Sequence, residues 1–398
     1  MTDDDDVDVL WGGTCLCTFQ AESSTSHVRF RNTRPALLPS SMAASSSSST
    51  ADALFTLITA AELSSALSSG SHAPLLLLEA CVPAQPQQDR RSIPGAVRFC
   101  ISSIDVYEDD AHGHPRKISG NHSLRPAKEL RAALEAAGVT HLTRTVVFTQ
   151  STKAGGPDLA VAARLCWALA RCGVQHVSLL AGGVHAWTHD GFELAPAPSA
   201  PVHRGFYDGA AAELPFPLRP EYDASTAEVE AAVASQSGVQ LADVRSWREF
   251  IGSGHDYPFP LPCGRIPGAR WAHWGPSTYV GGDFFRHETG ALHPITQTAE
   301  LWADWGLQLG GERRIVFYCG SGWRSAVAWC LARLLGHINC ASYDGGFLEW
   351  SMLDERAAEH PIAHGVPTEQ QERGVAASAA AASPAAVGTR ASLKRMVR

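Results

Sequence analysis

Apolar positions along this chain fall into short strand-like runs that alternate with helix-like faces, and the whole alternation occurs twice. In the first pass, Ala60-Ala61-Glu62-Leu63 opens a helix, residues 75–78 form a strand core, and Ser92-Ile93-Pro94-Gly95-Ala96 is a turn. A helix is predicted over 126–137. Then come a strand over 145–148, a helix over 159–171, a strand over 176–180, and the segment Gly182-Gly183-Val184-His185-Ala186-Trp187. In the second pass Pro267-Gly268-Ala269 answers Pro94-Gly95-Ala96, and 315–317 answers 146–148. The stretch from Gly345-Gly346 to Trp350 answers that from Gly182-Gly183 to Trp187. A period of about 165 residues marks a duplicated domain rather than a solenoid. Strands alternating with helices in each copy predict α/β architecture, with a mostly parallel sheet flanked by helices on both faces.

One stretch of the second copy carries chemistry as well as pattern. Residues 314–318 are a buried parallel strand by composition, and Ser325 to Leu335 is an Ala/Leu-rich helix suited to packing on a sheet. Between them lies Cys319-Gly320-Ser321-Gly322-Trp323-Arg324. A strand, tight loop and helix in this order aim main-chain N–H groups and the positive end of a helix into the loop. Helix N-termini and nearby arginine lower a thiol from its usual value of about 8.5. Cys319 is therefore expected as a thiolate nucleophile, with Arg324 as its local cation and Gly320 and Gly322 letting the backbone curl. The bland alternative is a structural cysteine buried at a strand end.

The first copy differs where that chemistry is expected. It has Gln150-Ser151-Thr152-Lys153-Ala154-Gly155-Gly156, with Gln150 read as standing in for Cys319, and Glu79-Ala80-Cys81 where the second copy has Asp243-Val244-Arg245. Glutamine is no sulfur nucleophile, so this copy is read as non-catalytic. Cys81, Cys100 and Cys166 are read as core residues, because unreactive cysteine packs like a small hydrophobe.

The organisation expected is a disordered leader over 1–52, a non-catalytic domain over 53–194, and a linker over 195–221 carrying Pro196, Pro198, Pro201, Pro215, Pro217 and Pro220. A catalytic domain over 222–362 and a disordered tail over 363–398 follow. The leader opens with Asp3 to Asp6 and ends in a serine run; Arg29, Arg31 and Arg34 give it a transit-peptide composition, but the acidic start argues against one. Met42 is an alternative start. A cytoplasmic location is expected, with mitochondria as the alternative.

Composition narrows the partners. A net charge of −8 leaves no basic footprint for nucleic acid. No apolar run approaches the ~18 residues of a membrane span. The ten cysteines include no Cys-x-x-Cys, and Cys15-x-Cys17 is a weak metal signal, so no metal and no cofactor are expected. A free catalytic thiol fits a reducing compartment without disulfides.

The loop Cys-Gly-Ser-Gly-Trp-Arg-Ser resembles the active-site loop of the rhodanese (sulfurtransferase) family. Leu241-Ala242-Asp243-Val244-Arg245 with Glu249-Phe250 resembles that family's Asp-Val-Arg and Glu-Phe motif. Gly264-Arg265-Ile266-Pro267-Gly268-Ala269 resembles its Gly-His-Ile-Pro-Gly-Ala turn, with Arg265 in place of His, and Tyr343-Asp344-Gly345-Gly346 through Trp350 resembles its closing segment. The resemblance covers about residues 222–355. It implies two tandem rhodanese-like domains. It also implies sulfur transfer from thiosulfate or 3-mercaptopyruvate, through a persulfide on Cys319, to cyanide, a small thiol or a thioredoxin-like acceptor, with ping-pong kinetics. Amides from Gly320 to Ser325 would stabilise the persulfide, and Arg324 would hold the donor's anionic group. On that reading Arg324→Ala is expected to leave the fold intact and weaken turnover.

Gly-Ser-Gly after the cysteine resembles the mercaptopyruvate type, but Trp323-Arg324 departs from both types. Trp323 is read either as a lid over the donor or as a plug in the groove between the copies. Asp243 and Arg245 are read as a buried ion pair holding the loop, with direct donor binding as the weaker alternative. Arg265 and Arg270 would add positive charge to the cleft or make surface ion pairs; His273 and His293 are read as structural. Two rival functions are a sulfur-relay or regulatory binding module, and a cysteine-dependent phosphatase or arsenate reductase. The latter needs a longer loop than the four residues separating Cys319 from Arg324.

Overall fold

The computed structural model describes residues 55–69, 75–82, 91–111, 115–150, 158–196, 218–235, 238–255, 257, 259–272 and 295–367. The predicted leader, most of the linker, the last thirty-one residues of the tail, the loop 151–157, and His273 and His293 lie outside them. The first half runs β1 (Phe55–Ile58), α1 (Ala60–Ser68), β2 (Leu75–Cys81), β3 (Arg91–Ser92), β4 (Val97–Cys100), α2 (Ala127–Ala136), β5 (Arg144–Phe148), α3 (Asp158–Arg171), β6 (His176–Leu180), α4 (Gly183–His189) and β7 (Ala195–Pro196). The second runs α5 (Thr226–Ser235), β8 (Gln240–Asp243), α6 (Trp247–Ile251), β9 (Arg270–Trp271), α7 (Ile295–Asp304), β10 (Ile315–Tyr318), α8 (Trp323–Leu334), β11 (Cys340–Ser342) and α9 (Gly346–Leu348). No helix among the described residues is long and apolar enough to cross a membrane.

Both sheets are parallel, as the buried apolar runs require. The first has the order β1-β6-β5-β2-β4 and the second β11-β10-β8-β9. A parallel bridge from Asp223 to Ser342 sits beside β11 where β1 sits beside β6, so the two orders coincide. The α/β fold with two repeated parallel sheets is as expected. The short antiparallel pair β3–β7 joins Arg91–Ser92 to Ala195–Pro196, so the first two residues assigned to the linker are tied to the first half.

Hydrogen-bond register corrects the alignment of the copies. Phe148 pairs with Glu79, and Tyr318 with Asp243. Val184 donates its N–H to the carbonyl of Thr149, as Phe347 does to that of Cys319. Thr149, not Gln150, therefore occupies the place of Cys319. The apolar runs alone leave the match uncertain by one residue because a strand core has no internal marker of register. Threonine is no sulfur nucleophile either. Gln150 instead donates to the Glu79 carboxylate and to the Arg91 carbonyl.

The tail boundary also moves. Ala363 and Arg265 exchange main-chain hydrogen bonds, and Gly365 donates to the Ile251 carbonyl. Buried Arg265 donates from Nη1 to the carbonyls of Phe250 and Gly365 and lies 4.7 Å over the Phe250 ring. The chain is thus anchored through Gly365, three residues beyond the predicted end of the domain. Arg265 holds this return; it neither charges a cleft nor forms a surface ion pair.

A single apolar core straddles the halves. Helices α3 and α8 pack together, bringing Ala163, Cys166 and Trp167 against Ala326, Trp329 and Cys330. Both helices are rich in small residues, which lets their backbones approach and explains why neither shows a polar face. A second cluster on the far side of the second sheet gathers Val316, Tyr318, Phe347, Leu348 and Trp350. The carboxyl end of β10 is thereby fixed from both faces.

Candidate active site

Cys319 follows β10 directly, and α8 begins four residues later at Trp323. The first-turn amides of a helix have no partner within it, and here they belong to Trp323, Arg324 and Ser325 at the mouth of the loop. The Cys319 sulfur lies 3.9 Å from the Ser325 hydroxyl, which bonds to the Gly322 carbonyl and the Ser342 hydroxyl. The residue is only 2% exposed, a burial that the alternative of a structural cysteine at a strand end also describes.

The closing segment clamps this loop. The N–H groups of Phe347 and Leu348 donate to the carbonyls of Cys319 (2.7 Å) and Gly320 (2.9 Å). Gly346 sits at φ +58°, and a Cβ there would lie 2.6 Å from both of those carbonyl oxygens. A glycine is required by both the backbone angle and the contact. At Gly320 only the contact is tight: a side chain there would collide with the Tyr257 hydroxyl.

Arg324 is not placed to hold a donor. Its guanidinium makes paired bonds to Glu249, Nη1 to Oε2 at 2.9 Å and Nη2 to Oε1 at 3.0 Å, and it also donates to the Tyr257 hydroxyl. Burial alone would raise the Glu249 carboxyl, but the charge and hydrogen bonds of Arg324 outweigh it and hold the group down at about 2. The same Glu249 caps α6: it accepts from the Ser246 N–H while the Ser246 hydroxyl accepts from its own. The expected local cation is therefore compensated, and its visible work is to tie the first turn of α8 to the start of α6.

Asp243 and Arg245 form the buried ion pair that was expected, 2.6 Å between Nη2 and Oδ2. Arg245 also donates to the Gly264 carbonyl and lies 4.1 Å over the Phe347 ring. Both charges are consumed within the scaffold beneath the loop.

Residues of the first half reach the loop, and sequence reasoning missed them. Trp323 donates its indole N–H to Asp105 at 3.1 Å, so it is a plug anchored on the first half. Asp105 is paired with the fully buried Arg164 of α3, which also pairs with Asp344 of the closing segment. A side chain at Gly322 would collide with that Asp344–Arg164 pair. The Leu124 N–H donates to Asp344 at 2.8 Å, and the Gly120 N–H to Glu349 at 3.1 Å. An arginine in the middle of an otherwise apolar helix was the available signal for Arg164, because a charge there needs partners.

A family model, the rhodanese-like domain, matches residues 225–353. The putative thiosulfate sulfurtransferase of Mycolicibacterium smegmatis is 34% identical over 234 residues, which are 57% of this chain and 75% of that protein. The chain belongs to the rhodanese family of sulfurtransferases. Thiosulfate sulfurtransferase YnjE of Escherichia coli is 31% identical over 264 residues, 65% of this chain, and this chain spans only about half of that protein (53%). Among solved structures, the anaerobic ergothioneine biosynthesis enzyme from Chlorobium limicola, in complex with its natural substrate trimethyl histidine, superposes with a TM-score of 0.65. It is 26% identical and covers 78% of this chain and 70% of its own. The family model matches only the half that carries Cys319, whereas the likeness to the relatives and to the solved structure runs beyond it.

Proposed function

We propose that Cys319 is the sulfur carrier of this rhodanese and that the chain moves sulfane sulfur from a small anionic donor, thiosulfate or 3-mercaptopyruvate, to a thiophilic acceptor. The observation that carries the reading is the placement of Cys319 between the end of β10 and the first turn of α8, with its carbonyl clamped by Phe347. In the first step the Cys319 thiolate attacks the donor's outer sulfur. The donor's S–S bond (or C–S bond) breaks, sulfite (or pyruvate, after proton uptake) leaves, and a persulfide remains. In the second step cyanide, a small thiol or a thioredoxin-like thiolate attacks the outer persulfide sulfur and regenerates the Cys319 thiolate. Helix-start dipoles favour the negative sulfur in both steps. The names of the relatives favour thiosulfate, and the Gly-Ser-Gly sequence favours mercaptopyruvate.

The test is mass measurement of the intact protein after each donor. A gain of one sulfur on Cys319, lost on adding cyanide and absent in Cys319→Ser, supports the reading. An unmodified Cys319 in the presence of excess of both donors overturns it and favours a binding module.

A second acceptor class has one observation in its favour. The likeness to the Chlorobium limicola enzyme, whose natural substrate is trimethyl histidine, coincides with aromatic rings beside the loop: Tyr257, whose ring lies 5.4 Å from that of Phe259. Aromatic faces suit a flat or quaternary cation. Incubating the persulfide form with trimethyl histidine and looking for the thiolated product decides between the acceptor classes.

A further inference from the structure

The first half holds a cluster of reactive groups that the sulfur-transfer reading does not use. Cys81 ends β2 and Cys100 ends β4, and the two are register partners on adjacent parallel strands. Such partners lie about 4.8 Å apart, and both side chains emerge on one face of the sheet. That spacing falls within the roughly 4.4–6.8 Å between Cα atoms that a disulfide tolerates. Arg98, two residues before Cys100 and so on the same face, donates from Nε to the Cys81 sulfur at 3.0 Å. The Cys100 sulfur is 3.1 Å from the Ser102 hydroxyl. Cys81 is buried, while Cys100 is partly open.

These surroundings divide the labour between two thiols. A hydrogen bond from Cys81, with help from Ser102 and the charge of Arg98, brings the Cys100 thiol down to about 5 despite its burial. The same hydrogen bond, together with burial, pushes the Cys81 thiol up against the lowering pull of Arg98, whose Nε donates to its sulfur. The pair thus shares one proton, as coupled thiols do. Cys166, Cys330 and Cys340, by contrast, are fully buried and raised by that burial, which leaves them inert.

We propose that Cys81 and Cys100 form a second reactive site of this chain, a dithiol that a hydroperoxide closes to an intramolecular disulfide. The Cys100 thiolate attacks one oxygen of hydrogen peroxide. The O–O bond breaks, Cys100 becomes a sulfenic acid, and the departing hydroxide is protonated by solvent. The Cys81 sulfur then attacks the Cys100 sulfur; the S–S bond forms and the S–O bond breaks. The Cys81 proton leaves with the oxygen as water. Two thiols give up two electrons, the peroxide accepts two, and two waters result. This inference stands apart from the role of Cys319.

The experiment exposes the full-length protein to a small excess of hydrogen peroxide, blocks remaining thiols in denaturant, and maps tryptic peptides with and without reduction. Arg90, Arg91 and Arg98 lie between the two cysteines, so trypsin places them on separate peptides. A joined Cys81–Cys100 peptide that reduction splits is the expected result. In Cys81→Ser the reaction should stop at Cys100 sulfenic acid, captured by dimedone. Recovery of both cysteines singly blocked under conditions that oxidise Cys319, or of Cys100 joined to some other cysteine, overturns the proposal. The wild-type map decides the matter alone if the serine variant fails to fold.

Discussion

Arg324 and Glu249 show how a residue's surroundings decide its task. The pair is buried, and its geometry satisfies both groups, so deleting one side leaves the other charged and dry. The expectation that Arg324→Ala spares the fold therefore gives way: the variant should lose about 3–5 kcal/mol of stability. Arg324→Met combined with Glu249→Leu should recover most of that loss, because apolar replacement of a whole buried pair is often near neutral. Urea unfolding of the two single variants and the double variant measures the coupling; additive losses would show that the two groups act independently. The pair also sets an acid limit. The folded-state Glu249 carboxyl lies at about 2 against an ordinary 4.5, so its stabilisation is complete above 4.5 and is lost as pH falls toward 2. That stabilisation is on the order of 3 kcal/mol. Wild type should therefore be more stable than Glu249→Gln at pH 6, with the gap closing near pH 2. A gap that is constant with pH would contradict the assignment.

At the scale of elements, the clamp between α9 and the Cys319 loop makes a sharp prediction. Gly346→Ala puts a methyl group against two carbonyl oxygens at a positive φ, whereas Gly336, at φ +81°, has open space around it. Gly336→Ala should cost only about 1 kcal/mol of backbone strain. Gly346→Ala should cost about 2–4 kcal/mol, because overpacking adds to strain, and should also lower sulfur-transfer turnover by displacing the Cys319 carbonyl. Thermal midpoints and turnover of both variants test this, and equal losses at the two sites would deny the clamp its role. Much of this element was legible beforehand: the order strand, cysteine, glycine loop and helix was read directly from residues 314–335. The tie from α6 was half visible, since Ser246 and Glu249 have capping-box spacing, but nothing local said that Glu249 also faces Arg324.

On the scale of the whole molecule, the first half is a structural partner of the loop. Its Asp105 holds Trp323, its Arg164 bridges Asp105 and Asp344, and its α3 shares a core with α8. Because that core is continuous, the halves should unfold as one unit, with calorimetric and van't Hoff enthalpies in agreement. Arg164→Met leaves two carboxylates facing each other across the halves. It should lower stability by about 3–5 kcal/mol and split the transition in two. A single unshifted transition in that variant would refute the bridging role.

The sequence by itself determined what depends on neighbours along the chain. The two parallel-sheet copies came from the apolar period. The strand, cysteine, glycine loop and helix came from residues 314–335, and the family came from four ordered motifs. Only the tertiary structure decided what depends on residues far apart in sequence. It showed that Thr149 rather than Gln150 matches Cys319, that Glu249 takes up the charge of Arg324, that Trp323 anchors on Asp105, and that Cys81 lies beside Cys100. The physical reason is that strand register, buried ion pairing and interlocking cores are set by packing across the fold, and one chain's local pattern carries no record of which distant group will fill a given space.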